Sequence, residues 1–240
     1  MFSKALFFIS MFSLFSFADN APVAAASVPA SALVSTYNYP YTNPEIASLT
    51  TVIMHSTLPK DHPAADRLEV ANIPGRNNTF LFEGRGQLRF NFFAQNKAAP
   101  LVFIIADLGG SHVSGYMVYE AELLYKHGYN VIAISSPFFW NFVLSSGTTT
   151  LPGVTDEDAQ DLYVAMNLAL GEVKRHHSHT ITKIGALGLG LGALELAHVS
   201  VIDQIEKKLN IERYVFINPI VNLVHSVAQI EKHVAIALDI

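Results

Sequence analysis

The nine residues from Ile184 to Gly192, IGALGLGLG, decide the fold. A short apolar run passes into glycines at alternate positions and then into LGALELAHVS, so the stretch reads strand, tight turn, helix. Upstream, PLVFIIADLGG carries a continuous apolar run from Leu101 to Ala106 that ends at a glycine pair, the pattern of a strand buried on both faces. SGYMVYEAELLYKHGYN then places Met117, Ala121 and Leu124 on one helical side, with Gly128 as a stop signal. Asn130 to Ser135, NVIAIS, predicts a second buried strand. After a loop rich in Pro, Phe, Ser and Gly, Thr155 or Asp156 is placed to cap a helix striped by Ala159, Leu162, Tyr163, Met166, Ala169 and Val173. Downstream, ERYVFINP predicts another strand, and Leu223, Val227, Ile230 and Val234 stripe a last helix. QLRFNFF, Gln87 to Phe93, alternates as an antiparallel edge strand with one wet face does. Alternating strands and helices imply right-handed parallel crossovers, and the expected fold is a three-layer α/β sandwich with a mostly parallel sheet.

Composition bounds the function. The 240 residues are 50% hydrophobic and 15% charged, too apolar for a disordered chain. A formal charge of −5 provides no cationic face for phosphates, so nucleic acid is not an expected partner. With no Cys there is no disulfide, thiolate metal site or Cys nucleophile. The N-terminus MFSKALFFISMFSLFSFADNA has a basic Lys4, an apolar stretch from Ala5 to Phe17 and a Ser16-Phe17-Ala18 cleavage pattern. We expect a signal peptide over residues 1–18 that is removed before Asp19, a periplasmic or secreted protein, and no transmembrane segment thereafter. Residues 19–45, rich in Ala, Ser and Pro, read as an extended tether, and residues 46–240 as the domain. Asn77-Asn78-Thr79 matches a glycosylation acceptor, a short pattern that recurs by chance.

A strand entering GLGLG and leaving as a helix is the setting of the G-x-S-x-G nucleophile elbow, here with Gly190 at the centre. ADLGGSH stands two βα units earlier, where an oxyanion loop would lie. From about Gln87 to Ile240 the chain resembles the α/β-hydrolase superfamily. The strings PGVTDEDAQDLYVAM before the elbow and INPIVNL after it resemble the exported bacterial branch. The resemblance implies an esterase-like or lipase-like frame. Glycine has no nucleophilic atom, and the acid and histidine segments expected after the elbow do not appear. Asp203, Asp239, His198, His225 and His233 are what remains, and none follows a recognisable later strand. The C-terminus therefore reads as incomplete relative to the family, through degeneration or truncation.

The resemblance leaves a binding site. Backbone N–H groups of Leu108, Gly109 and Gly110, with Ser111 beside them, would face Gly190 and the Leu191 N–H in an oxyanion-type pocket that would hold a carboxylate, ester carbonyl or small anion, as of a small apolar or acyl-type ligand. The crowded glycines also admit a dinucleotide reading, but Asp203 follows too early for a ribose contact and several strands precede the turn, so no cofactor is expected. Close helix–strand packing and a plain turn are further readings of the same glycines. Ser111 and His112 are neighbours and poorly placed to aim at each other, and Ser135 and Ser136 offer no stronger nucleophile. RHHSHT, Arg175 to Thr180, concentrates histidines without a third ligand of compatible spacing, so no metal is expected. Phe138, Phe139, Trp140 and Phe142 either line an acyl pocket or cover the sheet. The reading favoured by these residues is an exported, non-catalytic hydrolase-like protein acting by binding. An active carboxylic-ester hydrolase with its triad completed outside this sequence or by other residues is the alternative. A structural envelope component meeting an unidentified protein partner through the tether and the aromatic loop is a third.

Overall fold

The computed structural model describes residues 41–43, 46, 65–70, 86–149, 151–177 and 181–237, leaving aside the side chains of 65–70, His233, Ile236 and Ala237. The signal peptide, most of the tether, the Asn77 acceptor, His179 and Asp239 lie outside the described residues. The chain divides between Ile53 and Met54. In the first part, Asn43 Oδ1 accepts the Ile46 N–H at 2.9 Å.

The second part holds a six-stranded sheet. Its strands are β1 (Ala65–Val70), β2 (Leu88–Phe93), β3 (Ala99–Ile105), β4 (Asn130–Ile134), β5 (Ile181–Leu189) and β6 (Arg213–Ile217). The spatial order is β1-β2-β4-β3-β5-β6. β3 pairs in parallel with β4 on one side and β5 on the other, and β6 continues the parallel run. β1 and β2 join antiparallel. The helices are α1 (Gly115–Lys126), α2 (Trp140–Ser145), α3 (Thr155–His176), α4 (Leu191–Glu206) and α5 (Leu223–Ala237).

The apolar runs bury both sheet faces, as their continuity predicts. Phe90, Phe92, Leu101, Phe103, Ile105, Ile132 and Ile134 form one core with Leu162, Tyr163 and Met166 of α3 and Leu196 and Val199 of α4. Val102, Ile104, Val131 and Ala133 alternate with them and are equally buried. Met117, Ala121 and Leu124 of α1 are buried as their spacing predicts, and Gly128 follows the helix at φ +91°.

Four local expectations need correction. β2 is antiparallel but internal, because β1 pairs outside it, and only Arg89 of β2 is exposed. Val154, extended and without a side-chain bond, precedes α3 in place of a Thr155 or Asp156 cap. The acidic first turn, Asp156 to Asp158, favours the positive helix end instead. The aromatic loop contains α2, whose Asn141 accepts the Arg89 N–H and donates to the Gln87 carbonyl. In α5 the stripe Leu223, Val227, Ile230 and Val234 is exposed rather than packed on the sheet.

At the far end of α4 a single carboxylate organises the return to β6. Asp203 Oδ1 accepts the Tyr163 hydroxyl at 2.7 Å and the Leu209 N–H at 3.1 Å. Its Oδ2 accepts the Ile211 N–H at 2.8 Å and the Tyr214 hydroxyl at 3.4 Å. Burial alone would raise this acid, but these donors together hold its pKa below the usual value.

Candidate functional site

The chain leaves β3 toward β4 on one side and later returns to β5 on the other, so the order reverses at the carboxyl ends of β3 and β5. Parallel α/β sheets form their ligand crevices at such a reversal. Asp107 follows β3 and Gly190 follows β5, one on each flank.

Gly190 has φ +52° and ψ −115°. A residue with a Cβ pays about 1–3 kcal/mol in such a region. Its N–H donates to the Ile217 carbonyl at 2.9 Å, and its carbonyl accepts the Ala193 N–H at 3.1 Å, which fixes the turn between β6 and the first turn of α4. A side chain added at Gly190 would land on the carboxylate of Asp107. A Cβ at Gly192 would strike the Ala106 carbonyl oxygen, so this glycine lets the N-terminus of α4 approach the end of β3. The crowded glycines therefore serve close packing and leave room for a carboxylate from the neighbouring loop.

Asp107 Oδ1 accepts two backbone bonds, from the Leu191 N–H at 2.8 Å and the Leu108 N–H at 2.6 Å. These amides belong to segments far apart in the chain, and a carboxylate gains from both and from the positive end of α4. The Tyr116 hydroxyl accepts the Asp107 N–H at 3.2 Å. Burial pushes the Tyr116 phenol up to about 12, so it remains a neutral partner.

Of the residues read from the sequence, Leu108, Gly190 and Leu191 converge on this carboxylate. Gly109 is exposed at φ +66°, and the Gly110 N–H closes a turn onto the Asp107 carbonyl at 2.8 Å. Ser111 turns to Ser114, whose hydroxyl lies 3.2 Å from its own. Asp107 escapes a sequence reading because an Asp in Asp-Leu-Gly-Gly reads as a turn former. The available signal was the glycine at the elbow centre, which frees space that a nearby side chain can fill.

Sequence separation also hid a pair between His112 and Ser135. The Ser135 hydroxyl accepts the His112 N–H at 3.0 Å and lies 2.9 Å from His112 Nδ1, and both residues are buried. With Asn91 donating to the His112 carbonyl and the Ser136 N–H to the Gly110 carbonyl, this pair rivets the loop after β3 to β2 and β4. His198 faces Asp156 at 3.1 Å, His225 lies exposed on α5, and His177 packs edge-on against Phe92. Among the described residues no group of three His, Cys, Asp or Glu is arranged to hold a metal ion, and no helix is long and apolar enough to cross a membrane.

No protein-family model and no curated protein sequence matches the chain. Among solved structures, it is similar to an esterase of Pyrococcus furiosus at 21% identity, with 71% of this chain and 56% of that one covered and a TM-score of 0.48. A cold-adapted esterase from an Arctic intertidal metagenomic library shares 17% identity over 63% of this chain and 59% of that one, at a TM-score of 0.45. A probable hydrolytic enzyme of Pseudomonas aeruginosa shares 17% identity over 65% of this chain and 41% of that one, at 0.42. The chain thus spans roughly half the length of the structures it resembles. Its own strand order and pairing define an α/β fold with a mostly parallel sheet.

Proposed function

We propose that this is an exported α/β-hydrolase-like protein that has given up ester cleavage and acts by binding. One observation carries the reading: Gly190 supplies no nucleophile, and the carboxylate of Asp107 fills the place of the missing side chain while accepting both converging amides. An oxyanion cannot form bonds with amides that a resident carboxylate already holds. The same charge repels an anionic ligand, which favours a small neutral, apolar or acyl-type one. Leu108 and Val113, exposed on the loop after β3, and Trp140, exposed at the start of α2, offer apolar contact for it. Export rests on the leader over residues 1–18.

The test uses the full-length protein, its Gly190→Ser variant and the double variant Asp107→Gly, Gly190→Ser. Incubation with p-nitrophenyl acetate and with a fluorophosphonate should leave the wild type without turnover and without an adduct. Intact mass of the envelope fraction should match a chain beginning at Asp19. A fluorophosphonate on Ser135 of the wild type would overturn the reading in favour of an ester hydrolase that uses the His112 pair.

A further inference from the structure

The last helix, α5, stands clear of the rest of the described chain. α1, α3 and α4 each bury an apolar stripe, but of the described side chains of α5 only Ser226 and Ala235 are even partly covered. Asn222 Oδ1 caps its start by accepting the His225 N–H at 2.9 Å, so the local sequence begins the helix without help from the fold. A helix of 15 residues is marginal by itself in water, and an apolar face packed on something else supplies most of its stability. Leu223, Val227, Ile230 and Val234 are each 44% to 58% exposed and follow one another at intervals of four, three and four residues. That mean interval of about 3.5 residues is the seam of a helix that packs lengthwise on another helix. Val221 and Val224 extend the apolar surface at its N-terminal end and are more exposed still.

We propose that α5 is a self-association surface, on which a second copy of this chain lays its own α5 in a two-helix seam. The seam is self-complementary, because identical knobs at identical intervals let one twofold contact cover both helices. Val227 and Val234 share one of its two alternating positions and place β-branched side chains there, as two-stranded seams favour. The six apolar side chains expose roughly 600 Å², more than the few hundred Å² that a monomer ordinarily leaves bare, and the polar flanks bring the face near the ~800 Å² per partner of a standard interface. No charged residue interrupts the seam. Lys232 and Glu231 balance each other beside it, so α5 lacks the cationic face with which an amphipathic helix holds an anionic lipid surface. β6, the strand that precedes α5, is the outermost of the six strands on its side. The pairing is independent of the elbow and of any ligand held there.

Sedimentation velocity of the full-length protein from about 1 to about 200 µM should show a mass that doubles as concentration rises. Val227→Glu combined with Ile230→Glu sets like charges in the seam and should leave a monomer throughout. Its melt at about 1 µM, where the wild type is monomeric too, should be unchanged because neither side chain supports the domain. Gln229→Glu adds the same charge off the seam and should keep the dimer. The chain has no Cys, so Val227→Cys gives a second reading that disrupts nothing: mild oxidation should trap a covalent pair, and Gln229→Cys should not. Each of the following would overturn the proposal: a wild type that stays monomeric, a dimer that survives the paired glutamates, or one lost with Gln229→Glu. So would a lowered melt of the paired-glutamate monomer, equal trapping at 227 and 229, or partition into vesicles of phosphatidylcholine and phosphatidylglycerol in place of self-association.

Discussion

The two ends of α4 each bury a carboxylate, and the two titrate in opposite directions. Asp203 at the C-terminal end is 4% exposed and Glu195 at the N-terminal end 1%. Asp203 is held below the usual range and Glu195 is pushed up to about 8. Depth of burial does not separate them, but donors do. Asp203 collects backbone N–H groups and two tyrosine hydroxyls, whereas one oxygen of Glu195 has no partner and its charged neighbours are acids. A buried acid is a structural anchor when the fold supplies hydrogen-bond donors and a latent switch when it does not.

The sharpest way to break this contrast is Asp203→Ala, which leaves several buried donors without an acceptor. It should cost about 3 kcal/mol or more in urea unfolding, and a loss under about 1 kcal/mol would mean the donors are satisfied elsewhere. Gly190→Ser should cost about 1–3 kcal/mol from backbone conformation, with the clash against the Asp107 carboxylate adding to it. Adding Asp107→Gly should return part of that loss by removing the clash, as thermal melts would report. Tyr163→Phe removes one donor to Asp203 and the acceptor of the Lys208 N–H, and should cost about 1–2 kcal/mol. The pH profile sharpens the contrast at both ends. Stability should fall as pH rises through the window up to about 8 in which Glu195 and Glu120 hold protons that the unfolded chain has released. It should also fall as pH drops below the ordinary aspartate range, where Asp203 loses its depressed-pKa advantage. Glu195→Gln should lessen the alkaline slope, leaving the share due to Glu120, and leave the acid side unchanged. The smallest effect belongs to His198→Ala, which loses a largely solvent-facing pair with Asp156 from the middle of α4, worth about 0.5 kcal/mol or less.

Much of the frame was legible in the sequence because fully buried parallel strands write themselves as unbroken apolar runs. The runs Leu101 to Ala106 and Asn130 to Ser135 fall within two residues of the ends of β3 and within one of those of β4. β1 was not, since ADRLEV mixes charges with few apolar residues and owes its place to pairing with β2. α2 escaped because six residues give too little periodicity to count. α5 was legible as a helix, while the side it turns outward depends on tertiary contacts that its own stripe does not encode. At the site, the elbow turn and its central glycine were readable, but Asp107 was not, because its meaning arises only where two loops distant in sequence meet.

The fit between Asp107 and Gly190 also orders the mutational routes by which this chain exchanges its elbow residue. A serine arriving first at position 190 meets the carboxylate and a costly backbone conformation together. A small residue arriving first at position 107 gives up two amide bonds but meets no clash, and the serine can then follow. The two substitutions do not commute, so access to a nucleophilic elbow is gated by the loop after β3.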